Sequence, residues 1–232
     1  MSHPRTLGPS PLARLLRAWA RLDTNAAPAD PAGRLGEWLS AVDSVRLDAA
    51  LQAIDRYAAS AREVASSVDV KALAERHQRF LTDTADWLRS LPLMDEALGD
   101  GQVTTYGPCQ QRYLTVQKQL ENRVNAWRAK VRQTLATGTA QMRQLAALDG
   151  VLDEMLSPRE QRLLTSISVY LERRFDHRRQ AVSPDDARWV DDFNHDMRHM
   201  LLAELHHRQQ AIQGLVDAAS AHQATPSSAA LS

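Results

Sequence analysis

Cysteine is almost absent from this chain. Among 232 residues only Cys109 occurs, so no intramolecular disulfide can form, and a lone thiol fits a reducing cytoplasm. Glycine (9) and the aromatic residues (5 %) are scarce as well. With so little glycine there is no phosphate-cradling loop and no G-x-S-x-G elbow, and no motif names a cofactor. Charge of one sign is not in excess, since Lys+Arg 28 balances Asp+Glu 28. No net field draws the molecule to nucleic acid or an anionic membrane, and binding to either would need a local patch. The longest apolar runs fall far short of the roughly 18 residues of a membrane helix. The start "MSHPRTLGPSPLARLL" has no continuous apolar stretch after its basic residues. These absences lead to the expectation of a soluble, unexported, cytoplasmic protein without direct membrane insertion.

What fills the chain instead is Ala, Leu, Arg, Gln, Asp and Glu, with β-branched residues scattered among them, a composition that favours helix over strand. Ser10 and Pro11 make a start signal for a helix with Leu12, Leu15, Leu16, Trp19 and Leu22 on one stripe. A loop of prolines and small polar residues follows. A short helix then carries Leu35, Trp38 and Leu39, and Asp43 can cap the next. Helical spacing runs from Ser44 to about Arg89, interrupted at "SSVD". Pro108 opens a long amphipathic helix through Tyr113, Val116, Leu120, Val124, Trp127, Val131 and Leu135, narrow enough for a coiled-coil-like seam. "TGT" at 137–139 is a bend, after which Met142, Leu145, Leu148 and Leu152 resume the spacing. "SPRE" at Ser157 is a capping-box start for a helix with Leu163, Leu164, Ile167, Leu171 and Phe175, and "SPDD" at 183–186 starts the last helix, to about Ala219. The expected fold is all-α, an elongated bundle of about seven helices with long antiparallel, coiled-coil-like hairpins. Its expected parts are an N-terminal helical region (1–90), an irregular linker (91–107), a C-terminal long-helix region (108–220) and a disordered tail (221–232).

Four of the eight histidines lie in "HDMRHMLLAELHHR" at 195–208. His195 and His199 have the spacing of a two-histidine metal clamp, and Asp192 falls on the same side at about 100° per residue. That column faces away from the stripe of Val190, Phe193, Met197, Leu201 and Leu205, and no third ligand has recognisable spacing. A metal-dependent hydrolase at His195, His199 and Asp192 is therefore the third reading, and no metal is expected. Glu204 and Arg208, four apart in the favourable order, lie on the apolar stripe itself. Charges there are costly unless paired, so they are expected as a buried or interfacial ion pair. Arg112, Lys118, Arg123, Arg128, Lys130, Arg132 and Arg143 stand against only Glu121 along the long helix. A nucleic-acid surface is the second reading, weakened because the basic residues spread around the wheel. Trp127, Arg123 and Lys130 join Glu204 and Arg208 as candidate interaction residues. Cys109 falls in the first turn of a helix, where the N-terminus would lower its pKa.

"LGPSPLARLLRAWARLD" with "RLGEWLSAVDSVRLDAAL", then "YGPCQQRYLTVQKQLENRV", "LSPREQRLLTSISVYLERRF" and "FNHDMRHMLLAELHHRQQAIQGLVDA" resemble, in order, the blocks of an uncharacterised proteobacterial domain-of-unknown-function family of all-helical proteins. None of its motifs is catalytic. The resemblance gives counterparts to Glu204, Arg208, Gly214 and Leu215, and puts Ala211 where relatives often have proline, which implies a straighter last helix here. It also implies a setting, since relatives tend to be encoded beside OmpA-like and membrane-anchored coiled-coil proteins, some similar to proton-driven motor stators. The leading expectation is a non-enzymatic scaffold or adaptor without cofactor. Its partner would be a helical or coiled-coil protein, or a second copy, and it would form the cytoplasmic part of an envelope-associated complex.

Overall fold

The computed structural model describes residues 10–20, 68–94, 105–181 and 188–224, with separate helical positions at 48–49, 51–52 and 54. The expected helix of Leu35, Trp38 and Leu39 lies outside those residues. So do the Asp43 cap, most of 44–67, positions 95–104 of the linker, the start signal at 183–186 and the tail from 225. Every regular element among the described residues is a helix: α1 (Pro11–Ala20), α2 (Val70–Ser90), α3 (Gly107–Ala136), α4 (Ala140–Thr165), α5 (Ile167–Gln180), α6 (Arg188–Arg208) and α7 (Gln210–Ala224). They pack as an all-helical bundle.

Local chemistry explains several of the ends. Ser10 Oγ accepts from the Ala13 N–H (3.2 Å) and Asp69 Oδ1 from the Ala72 N–H (2.9 Å), so α1 and α2 each begin on a side-chain cap. Between α3 and α4 the backbone turns at 137–139, and Thr139 Oγ1 caps the Met142 N–H (3.3 Å). A Cβ on Gly138 would lie 2.6 Å from Met142 Sδ and 3.0 Å from Val68 Cγ2, so any larger residue at this turn makes the Met142 side chain shift.

Two expected boundaries move. "SPRE" starts no helix, because Pro158 lies inside α4. Ser157 Oγ, instead of capping forward, donates one turn back to Asp153 Oδ1 (2.6 Å), and the break falls later, at Ser166. The last helix is divided as well. It is interrupted at Gln209, although no proline is there. Arg208 and Gln209, on either side of the division, are both buried.

The helices form two compact units, each drawn from three stretches of chain. Unit one takes Met1–Pro28, Trp87–Gln119 and Leu164–Arg208; unit two takes Ala29–Asp86, Leu120–Leu163 and Gln209–Ser232. In unit one, α1 packs on α5 and α6. Its aromatic core stacks Phe175 edge-on against Phe193 (5.3 Å) and Trp189 (5.2 Å), with Tyr106 tilted on Phe175 (5.8 Å). Such pairs each add roughly 0.5–1.5 kcal/mol beyond area burial. Tyr106, buried, donates its hydroxyl to the Ser168 carbonyl (2.9 Å), satisfying its polar end. In unit two, Leu120, Val124, Val131 and Leu135 of α3 are buried with Leu73 of α2, Met142 of α4 and Ile212 and Val216 of α7, so the expected α3 stripe is a core face.

Candidate functional site

Polar side chains inside the core are costly, so the buried ones mark where the fold has been built around something other than apolar contact. Unit one contains one such cluster. On α3, Gln117 falls on the same face as Tyr113, Val116 and Leu120, while on α6 Glu204 and Arg208 share a face with Met197 and Leu201. Those stripes meet, and their polar members meet with them. Tyr113, Gln117 and Glu204 are all buried. The Tyr113 hydroxyl donates to Glu204 Oε1, and Gln117 Nε2 donates to both carboxylate oxygens (2.9 Å each) and to the Leu164 carbonyl (3.0 Å). Arg208 Nη2 stands 3.9 Å from Glu204 Oε2, with 6 % of its side chain exposed.

The expected Glu204–Arg208 pair is thus buried and internal to unit one. The bonds that hold the carboxylate, however, come from Tyr113 and Gln117. Burial pushes the Glu204 carboxyl above its usual range, opposed by the hydrogen bonds of Tyr113 and Gln117 and by the Arg208 charge. Burial also pushes the Tyr113 phenol well above its ordinary value, and the neighbouring carboxylate adds to that. Such a cluster ties α3 to α6 in one register. It offers no exposed nucleophile, and Cys109, one turn before Tyr113, is buried with its thiol pushed up rather than down, because desolvation outweighs the backbone N–H at the helix start.

Arg178 joins α5 to α6 through Asp192 Oδ2 (2.7 Å) and Asp196 Oδ2 (2.9 Å), and Arg174 donates to the same Asp196 oxygen (2.8 Å) while lying 5.6 Å from the Trp19 ring centroid. Asp192 therefore serves Arg178. His195 and His199 are exposed with ring centroids 6.0 Å apart. Among the described residues no group of three or more His, Cys, Asp or Glu side chains is placed to hold a metal ion.

Unit two holds a second polar seam. Arg128 grips Asp149 through Nε (2.9 Å) and Nη2 (2.6 Å) and Asp153 through Nη1 (2.7 Å); Arg132 reaches Asp153 (2.7 Å) and Asp149 (3.2 Å). This ladder sets α3 antiparallel to α4 across the 137–139 turn. Burial alone would raise the Asp153 carboxyl, but hydrogen bonds from Ser157 and Arg132 and the two arginine charges hold it below its ordinary value. Two of the seven basic residues thought available for phosphate are thus spent on internal carboxylates. Arg112 turns to the Pro92 carbonyl (3.2 Å) and Arg143 to the Gly138 carbonyl (2.7 Å). Lys118, Arg123 and Lys130 are exposed. Trp127 is half-buried; it stacks on Phe80 (5.3 Å) and donates its indole N–H to His77 Nδ1 (3.0 Å). His77, fully buried, has its pKa pushed down by desolvation, against partial upward pulls from Gln209, Gln213 and the Asp217 charge.

The remaining feature is a surface. α4 buries Met142, Ala146, Leu164 and the charged Asp149, leaves Leu145, Leu148, Val151, Leu152 and Met155 half-buried, and leaves Leu156 (38 %) and Leu163 (39 %) exposed. Leu163, expected on a core stripe, is therefore on the outside. Leu156 lies seven residues from Asp149 on the same side of the helix, so the apolar stripe of α4 extends from its buried face out to the surface.

Buried polar seams between helices and a partly exposed leucine stripe on α4 are the features of this all-helical protein that stand out among the described residues. No described helix is long and apolar enough to cross a membrane. A family model described as protein of unknown function (DUF3348) matches residues 1–221, and the chain belongs to that family. No curated protein and no solved structure matches it.

Proposed function

We propose that this protein is a non-enzymatic helical scaffold or adaptor that holds a helical protein partner on the leucine face of α4, as the cytoplasmic part of an envelope-associated assembly. The observation that carries the reading is the apolar stripe of α4, which reaches the surface at the exposed Leu156. An apolar helix stripe is the complement of another helix's stripe, with anchors recurring at three and four residues. Its cytoplasmic, envelope-linked setting is supported by the lone thiol and by the family resemblance. The nucleic-acid alternative loses ground because Arg128 and Arg132 are neutralised by Asp149 and Asp153. A photo-crosslinking residue in place of Leu156, introduced in the native host, tests the proposal. The expected result is a discrete adduct whose linked peptide in the partner is helical, lost when Leu163→Arg is added. Absence of any adduct from position 156 would overturn it.

A further inference from the structure

His77 stands near the middle of α2 with 0 % of its surface exposed, and two other stretches of unit two close on its ring. From α3, Trp127 donates its indole N–H to Nδ1 at 3.0 Å. The two rings lie edge to edge, their centroids 6.4 Å apart and their planes within 1° of parallel, as a bond into the in-plane lone pair of Nδ1 requires. An indole can only donate, so Nδ1 carries no proton and the neutral ring holds its own on Nε2. From the last stretch come Gln209, just before α7, and Gln213, whose amide nitrogen is committed to Asp217 Oδ1 (2.8 Å). On this side the bonding is incomplete, since His77 Nε2 and Gln209 Oε1 are both buried without a hydrogen-bond partner. Asp217 is the charge that pulls on the ring. Glu75 and Arg76 beside it on α2, Arg123 and Lys130 on α3 and His222 on α7 are exposed, and Arg128 of α3 is held by Asp149 and Asp153.

We propose that the contact of His77 with Trp127 is a proton-operated latch between α2 and α3, closed while the imidazole is neutral and opened locally, within unit two, when the ring takes a second proton. An imidazolium donates from both nitrogens. A proton arriving on Nδ1 therefore sets one N–H against another across 3.0 Å, and turning the ring over brings no relief, because the other nitrogen is then a donor too. The bond is lost rather than weakened. His77 is enclosed and Trp127 only half-buried, so the indole, stacked on Phe80 at 5.3 Å, is the partner with a way out to solvent. Desolvation disfavours the charged ring and holds its pKa below 6.5, which keeps the latch shut at neutral pH and puts its opening on the acid side. The opened ring takes up one proton that the closed ring refuses. Between 6.5 and the folded value, the ratio of open to closed molecules thus rises about tenfold per pH unit.

Two measurements on the full chain test the latch, both run from about pH 7.5 down to about pH 5, across the range in which an imidazole titrates. In NMR spectra of the imidazole nitrogens, His77 is expected as the Nε2–H tautomer at the upper end. The Trp127 indole N–H signal, assigned by its absence from Trp127→Phe, should be lost as His77 becomes charged. Hydrogen exchange, corrected for intrinsic rates, should show protection around His77 in α2 falling about tenfold per pH unit below 6.5, while α5 and α6 of unit one keep theirs. His77→Gln offers Trp127 an amide oxygen that does not titrate, and should hold both readouts flat over the same range. An Nδ1–H tautomer at neutral pH would overturn the latch. So would a Trp127 signal and an α2 protection that persist while His77 titrates, or a His77→Gln protein that responds to pH as the wild type does. Loss of protection in both units at one midpoint would overturn it as well, because that is global unfolding. The wild-type readouts decide the matter even where His77→Gln does not fold.

Discussion

Replacing Tyr113 by Phe removes one oxygen from the middle of unit one and little else. The side chain is fully buried, Phe fills the same ring volume, and the lost group is a donor to Glu204 Oε1. A hydrogen bond to a charged partner is worth about 1.5–3 kcal/mol net, and one between neutral groups about 0.5–1.5. Which figure applies depends on the proton on Glu204. Its folded pKa lies above the ordinary carboxyl value of 4.5, so the native state holds that proton more tightly than the unfolded chain does. The associated stability is fully present below 4.5 and is lost as pH rises through the folded value. The Tyr113 hydroxyl favours the ionised form, and its removal raises the Glu204 pKa further. Tyr113→Phe should therefore cost about 1.5–3 kcal/mol where Glu204 is ionised and only about 0.5–1.5 where it is protonated. Urea midpoints of wild type and variant, measured from pH 4 to 9 at constant ionic strength, give the difference directly. A Glu204→Gln background, which has no such proton to lose, should flatten it. A Tyr113→Phe penalty that is the same at every pH would refute the picture of a phenol steadying a buried carboxylate.

Arg208→Met should cost about 3 kcal/mol by urea denaturation, the low end for breaking a buried pair because Tyr113 and Gln117 still hold Glu204, while Lys130→Met on the surface should stay within about 0.5. His77 has a lowered folded pKa, so its contribution is present above the ordinary 6.5 and is lost as pH falls through the folded value. Stability measured from pH 7 to 5 should drop in wild type and drop less in His77→Leu, which carries no titrating group. Gly138→Ala would drive a Cβ to 2.6 Å from Met142 Sδ and 3.0 Å from Val68 Cγ2, and should lower the thermal midpoint by an amount equivalent to about 1–3 kcal/mol.

The sequence carries the helices well wherever a stripe and a cap agree. Ser10 with Leu12, the α3 run from Tyr113 to Leu135, and Phe193 with Met197 and Leu201 all lie where periodicity puts them. It misleads where a local signal competes with a tertiary bond. Ser157 and Pro158 make a good start signal, yet the Asp153 carboxylate, fixed by Arg128 and Arg132, takes the serine hydroxyl, and the helix continues through the proline. The buried cluster was half legible. Glu204 and Arg208 stand out as charges on an apolar stripe, and Gln117 gives the same signal on α3, a polar residue between Val116 and Leu120. Joining them needed knowledge of which two stripes face each other, and that long-range fact is absent from local spacing. Tyr113 reads as an apolar residue until its hydroxyl has an address, and His77, four residues after Leu73 and three before Phe80, stands on the α2 stripe as Gln117 does on α3. The α4 surface was hidden for the opposite reason. Leu145, Leu152 and Leu163 have core-like spacing, and periodicity alone cannot tell a face buried in its own fold from one left open.

Each compact unit collects three separated stretches, the last of them being Leu164–Arg208 for unit one and Gln209–Ser232 for unit two. A chain leaving the ribosome from its N-terminus thus holds, for most of its synthesis, two unfinished cores with exposed stripes. Folding domain by domain, the usual route for a chain of this length, is closed to it. Unit one can complete only once residue 208 has emerged, and unit two waits for α7. Vectorial synthesis should therefore give a long protease-sensitive phase followed by near-simultaneous closure. A chain stopped at 208 should retain every stretch of unit one while leaving the His77 side of unit two open.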